Sequence, residues 1–183
     1  MVNDPLYTEN QYWRTFMREI PLEIVIPGPG QEFTSDYPCP PAVESVATRL
    51  QVWYAGILLA ETTEGLRVLE TSNPPVYYFP WGDVRMEFLT QMVHTTRCEW
   101  KGTASYWNAS IRGRRQEAVG WSYDNPKSGY ERLKEHLAFY PGLVDACLVG
   151  NERAQPQRGD YYGGWITSTI VGLGKSHPNT EVW

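Results

Sequence analysis

Cysteine is scarce in this chain of 183 residues: Cys39, Cys98 and Cys147 are all there is. Three scattered thiols cannot form a disulfide framework, so a reducing cytoplasm is the simplest expectation. Histidine is equally sparse, with only His94, His136 and His177, and the chain has no Cys-x-x-Cys and no His-x-x-x-His. His94 and Cys98 stand four apart, but two ligands do not close a zinc site, so no metal is expected. Spacing alone yields no Ser-His-Asp arrangement either. Basic charge is short as well: 16 Lys and Arg against 21 Asp and Glu leave a net charge of -5. That lacks the footprint of a nucleic-acid binder. The one tight basic cluster, Arg112, Arg114 and Arg115, flanks Gly113 and is expected at a solvated hairpin tip. No run approaches the roughly 20 apolar residues of a membrane span, so no membrane partner is expected. Met1 to Tyr12 has no basic region followed by an apolar stretch, which argues against a secretory signal. The Asn108-Ala109-Ser110 match to a glycosylation acceptor is therefore set aside.

Aromatic residues are abundant: 8 Trp, 12 Tyr and 5 Phe, or 14% of the chain. Each can bury a large area in a core, while Trp and Tyr also carry a polar handle suited to gripping a ligand.

Along the chain, residues 8–20 read as a short helix. Thr8 and Gln11 match a capping box, and Tyr12, Phe16 and Ile20 share one face before Pro21. Residues 21–41, with Pro21, Pro27, Gly28, Pro29, Gly30, Pro38, Pro40 and Pro41, read as an extended arm. From Ala42 the runs are short and the turn signals dense. Strands are expected over Thr48 to Tyr54 and Ile57 to Glu61 across Ala55-Gly56, then at Leu66 to Glu70 and Val76 to Phe79. Thr103 to Ser110 and Gln116 to Tyr123 form a hairpin across Arg112-Gly113. A second helix is read from Ser128 and Glu131, a capping box, with Tyr130, Leu133 and Leu137 on one face. Leu137 to Tyr140 and Val144 to Val149 are expected to pair across Pro141-Gly142. The division is an N-terminal helix and arm (1–41), a core domain (42–150), and a tail (151–183) packing back through Tyr161, Tyr162, Trp165 and Ile166. The fold class is mainly β (β-rich α+β): a compact single domain of short antiparallel strands, β-tent-like or barrel-like, with two short helices.

The segment Cys98-Glu99-Trp100-Lys101-Gly102 carries the chemistry. A thiol and a lysine are the side chains that become good nucleophiles when their surroundings lower their pKa. They sit three residues apart and lead into an aromatic-rich strand. Cys98 and Lys101 are therefore the candidate catalytic residues, against the plainer alternatives of a small buried thiol and a solvated lysine. Strand alternation places Thr103, Ser105 and Trp107 on one face and Ala104, Tyr106 and Asn108 on the other. Trp121 and Tyr123 share a face, and Val76 and Tyr78 face away from Tyr77 and Phe79. Gly172-Leu173-Gly174-Lys175-Ser176 imitates a phosphate loop, but Thr169 stands where its first glycine belongs, and His177-Pro178 disfavours a following helix.

Three segments carry a resemblance. They are Val68-Leu69-Glu70-Thr71 with Pro74-Pro75-Val76-Tyr77-Tyr78-Phe79-Pro80 and Asp83-Val84; Thr96-Arg97-Cys98-Glu99-Trp100-Lys101-Gly102 with Ala104 and Tyr106-Trp107; and Trp121-Ser122-Tyr123 with Pro126 and Ala138-Phe139-Tyr140. Their order and spacing over residues 48–150 resemble the bacterial family called domain of unknown function 427, also labelled nucleotidyltransferase-like. The arm and the tail are similar to the longer version of that family. The resemblance implies a compact β fold akin to the β-tent of zinc-binding chaperone-like proteins and methionine sulfoxide reductases. The paired zinc ligands of those relatives are missing here. The commoner family form has Pro-Tyr between the cysteine and the lysine, where this chain has Glu99-Trp100. The family brings no established reaction or cofactor, and no paired metal-binding carboxylates stand behind the nucleotidyltransferase label.

The first expectation is a small-molecule-binding protein whose pocket is lined by Tyr77, Tyr78, Tyr106, Trp121 and Tyr123, with Glu70 and Lys101 fixing the ligand's polar groups. The second is an enzyme, with a transferase among its forms, using Cys98 or Lys101 as nucleophile or acid/base. The third is an interaction module whose arm and tail engage another chain, a second copy included. The cofactor, if any, is not identifiable from sequence.

Overall fold

A computed structural model of the chain describes residues 26–159 and 162–172. The sequence-expected helix over 8–20 lies outside them. The strands in chain order are β1 (Glu32–Phe33), β2 (Ala42–Val46), β3 (Leu50–Tyr54), β4 (Ile57–Thr62), β5 (Gly65–Glu70), β6 (Asn73–Pro80), β7 (Leu89–Cys98) and β8 (Gly102–Ile111). They continue with β9 (Arg114–Ser122), β10 (His136–Phe139), β11 (Ala146–Val149), β12 (Glu152–Arg153), β13 (Gln155–Pro156), β14 (Trp165–Ile166) and β15 (Ile170–Val171).

Antiparallel pairing builds a seven-stranded sheet, β2-β5-β6-β10-β9-β8-β7, and a four-stranded sheet, β12-β11-β3-β4. The fold is mainly β, and the larger sheet is open, with β2 and β7 as its edges, so the barrel alternative gives way. Two-residue loops close the β3–β4 and β8–β9 hairpins. Their central residues Ala55 and Gly56 (φ 52° and 70°) and Arg112 and Gly113 (φ 50° and 79°) all have positive φ, as a type I′ turn requires.

The larger sheet buries both faces, and strand alternation decides which side chain goes where. Tyr77 and Phe79 of β6 join Leu137 and Phe139 of β10 against Leu50, Val52 and Leu59 of the smaller sheet. Phe79 meets Phe139 edge to face at 5.7 Å. Leu66, Val68 and Tyr78 point to the opposite face, where Trp121, Tyr123 and Ala138 form a second cluster. Burying each large apolar side chain contributes about 1.5–3 kcal/mol, so both faces add to stability.

The arm and the tail meet: β1 pairs in parallel with β15. Trp165 of β14 is fully buried in the inter-sheet core and its indole N–H donates to the Phe139 carbonyl at 3.1 Å.

Three local expectations are corrected. The second helix is a single 3-10 turn, Glu131–Leu133. Glu135, at φ 59°, ends any helical path and Leu137 enters β10. The stretches on either side of Pro141-Gly142 do not pair with each other. A turn forms, with Leu143 N–H donating to Tyr140 O, but β10 pairs with β6 and β9 while β11 pairs with β3 and β12. Finally, β2 and the ten-residue β7 are strands that sequence reading passed over. Between Gln91 and Thr95, three residues of β7 stand against the single Tyr106 of β8, and this bulge leaves Val93 fully exposed on the edge. Such a bulge blunts an edge against further pairing. Among the described residues, no helix is long and apolar enough to cross a membrane.

Candidate functional site

A cavity of about 390 Å³ opens on the second face of the larger sheet. β6 brings Tyr78, β8 brings Ala104 and Tyr106, and the end of β9 with the residue after it brings Trp121 and Tyr123. The register explains the gathering: Trp121 stands opposite Tyr106 on one side and Ala138 on the other, and Ala138 stands opposite Tyr78. Residues paired across antiparallel strands share a face. Trp121 packs on Tyr140 at 4.5 Å between ring centroids and meets Tyr78 edge-on at 6.2 Å.

The loop between β7 and β8 supplies the polar end. Cys98 pairs with Gly102, leaving Glu99, Trp100 and Lys101 as a three-residue turn. Gly102 holds φ +104°, a conformation that favours glycine. The Lys101 N–H donates to Cys98 Sγ at 3.5 Å, and Lys127 fixes the turn from outside, donating its N–H to Lys101 O and its ammonium to Glu99 O. This geometry turns the Lys101 side chain inward, to 8% exposure, where its Nζ lies 3.3 Å from Glu70 Oε2 at the end of β5. Glu70 Oε1 accepts from Asn73 Nδ2 at 3.2 Å, and Asn73 Oδ1 accepts from Gln157 Nε2 at 3.1 Å. A line of four polar side chains thus runs along one side of the cavity.

Burial pushes the Tyr78 hydroxyl well above the usual phenol range, while a hydrogen bond with Trp121 acts the other way. Burial does the same to Tyr123, helped by Tyr78 and by Cys98, to which Tyr123 is hydrogen-bonded. Both phenols therefore remain protonated and serve as neutral hydrogen-bonding groups. Tyr106 OH shares a 2.8 Å hydrogen bond with Thr96 Oγ1.

Of the residues singled out from sequence, Glu70, Tyr78, Cys98, Lys101, Tyr106, Trp121 and Tyr123 all line this one cavity. Tyr77 does not. Alternation sends it to the inter-sheet core, where its ring lies 5.1 Å from Trp165. Sequence reasoning missed Asn73, Tyr140, Gln157 and Tyr162. Tyr140 had a signal, since it follows a strand by one residue. Tyr162 was expected to pack back with the tail but was not assigned to the cavity, and Gln157 had no signal, because both reach the cavity through tertiary packing of the tail. Gly163 beside them lies so close to Trp121 that a Cβ would stand 2.2 Å from the indole. Among the described residues, no group of three His, Cys, Asp or Glu converges as metal ligands. The arrangement offers aromatic surface, the Lys101–Glu70 pair, the exposed charges of Arg97 and Glu99, one thiol and several neutral hydrogen-bonding groups.

No curated protein matches the chain. A family match covers residues 42–150, which include every cavity residue named above except Gln157, Tyr162 and Gly163. The matched stretch is more than half of the chain and holds both sheets apart from β12, so the chain belongs to the family described as Domain of unknown function (DUF427).

Proposed function

We propose that this protein binds a small molecule in the cavity between Trp121 and Lys101. The observation that carries the reading is convergence: aromatic walls from three strands meet a buried ammonium and its half-buried carboxylate partner in one space of about 390 Å³. Pockets of roughly 300–1,000 Å³ with apolar walls and a few placed polar groups are the usual form of small-ligand sites. Three free cysteines, Cys39, Cys98 and Cys147, fit a reducing cytoplasm as the working compartment.

The test is the native mass of gently purified protein against its denatured mass. A reproducible extra mass, lost on denaturation and absent from a Trp121→Ala variant, is the expected result. Trp121→Phe guards against a variant that fails to fold. Retention of the extra mass by both variants would sink the cavity as its site.

A second reading is an enzyme using Cys98 or Lys101 as nucleophile or acid/base. For Cys98 it is favoured by one contact, the Lys101 backbone N–H on the sulfur at the cavity wall, which favours a thiolate. Alkylation of Cys98 no faster than a free cysteine across pH would end its nucleophilic role. A third reading, an interaction module that contacts a second copy, has the exposed apolar side chain of Val93 in its favour, as a packing contact instead of strand pairing. Sedimentation showing a monomer at high concentration would count against it.

A further inference from the structure

The Lys101 ammonium has three protons and one described acceptor, Glu70 Oε2, at a long 3.3 Å. A buried cation with a single long contact needs further acceptors, and Lys101 lines the cavity. Its charge, however, is already matched. Glu70 stands within ion-pair distance, and the exposed residues Arg97 and Glu99 that also line the cavity carry opposite charges. Among the described residues, the groups next to the pair include the uncharged amides of Asn73 and Gln157 and the protonated phenols of Tyr78 and Tyr123. A ligand carrying net charge would leave that charge uncompensated in a low-dielectric site. A neutral ligand with an oxygen acceptor meets the Lys101 protons and leaves the pair intact. Tyr78, Tyr106, Trp121 and Tyr140 all line the cavity, and aromatic walls suit a planar ring.

Resting on the small-molecule reading above, we infer that the occupant is a planar aromatic or heteroaromatic molecule without net charge. It presents a carbonyl-type oxygen to Lys101, as a carboxamide or lactam does, in place of a carboxylate or an amine cation.

Three probes with the same phenyl ring separate these chemistries: benzamide, benzoate and benzylammonium. Each is titrated into the full chain while the Trp121 indole N–H and the Lys101 amide are followed by NMR. Benzamide is expected to bind at least about tenfold more tightly than either ion, the scale of one hydrogen bond to a charged group. Lys101→Met removes that advantage. Glu70→Gln leaves the ammonium uncompensated and moves the preference to benzoate, a readout that stands if the Lys101 variant does not fold. Benzoate or benzylammonium binding the wild-type cavity as tightly as benzamide overturns the inference alone. If none of the three moves the Trp121 or Lys101 signals, the inference falls, while an extra native mass lost in Trp121→Ala would leave the small-molecule reading standing.

Discussion

Adding one methyl group at Gly163 drives a wedge between the tail and the cavity wall. The new Cβ would lie 2.2 Å from Trp121 Cη2, 2.6 Å from Cζ3 and 3.3 Å from Tyr140 Cδ1. Carbon atoms in contact settle near 3.5–4.0 Å, so the space is short by more than about 1 Å. Neither neighbour yields easily, because the indole is buried and held by Tyr140 on one side and Tyr78 on another. Relief requires the indole to rotate or residues 162–163 to lift, and overpacking of this kind costs about 1–3 kcal/mol. In a chain of this size each kcal/mol lowers Tm by about 2–4 °C, so Gly163→Ala should lose roughly 2–12 °C in a thermal melt. The Trp121 indole signal should shift with it, and any co-purified small molecule should be lost. A melt within about 1 °C of wild type, less than the smallest shift expected from that cost, with an unmoved indole signal, would refute the claim that the tail forms this wall.

Asp124 accepts from Gln91, Ser105 and Ser122, the two serines being buried, so Asp124→Ala should cost about 1–3 kcal/mol in urea unfolding. An unchanged midpoint would mean that water replaces the carboxylate. Burial raises the Asp145 carboxyl, but the Arg114 hydrogen bond and charge together with the Gly56 and Ala55 amides outweigh it, and the net shift is downward. Its contribution is therefore present above the unfolded carboxyl value near 3.8 and fades as pH falls through the lower folded value. For so exposed a pair it is at most about 1 kcal/mol, and Asp145→Asn should flatten the acid limb of a stability-versus-pH curve to that extent. Identical curves would assign the pair no weight. Burial pushes the Cys147 thiol up, so it should resist alkylation until the chain unfolds, while exposed Cys39 reacts at once. Peptide mapping after labelling reads the order, and early labelling of Cys147 would contradict its burial.

The sheet hairpins were legible because their signals are local. Ala55-Gly56 and Arg112-Gly113 tolerate the positive φ that a two-residue loop imposes, and alternating apolar residues flank both. β7 was not legible, because Leu89–Cys98 is an edge strand whose bulge and exposed face erase the alternation that marks a half-buried strand. The same physics explains Tyr77. Tyr77 and Tyr78 are adjacent on one strand, so only one of them can face the cavity, and the choice was available from alternation alone. The 128–137 segment satisfied a capping box and a helical stripe, yet the backbone demand of β10 between β6 and β9 outweighed that local preference. The cavity's central residues were readable because they lie on a few aromatic strands. Gln157 and Tyr162 were not, since their place depends on Trp165 anchoring the tail in a core built from distant strands.

That anchoring orders events in time. Chains are made from the N-terminus and begin to fold as they emerge, at about 5–20 residues per second. The last of the seven strands ends at Phe139, so the whole larger sheet leaves the ribosome before Gly163 and Trp165 do. Until those two residues emerge, Trp121 and Tyr140 lack the cover that the finished chain gives them. The nascent protein therefore passes through an interval of exposed aromatic surface, when association with other chains competes with completion of the cavity wall.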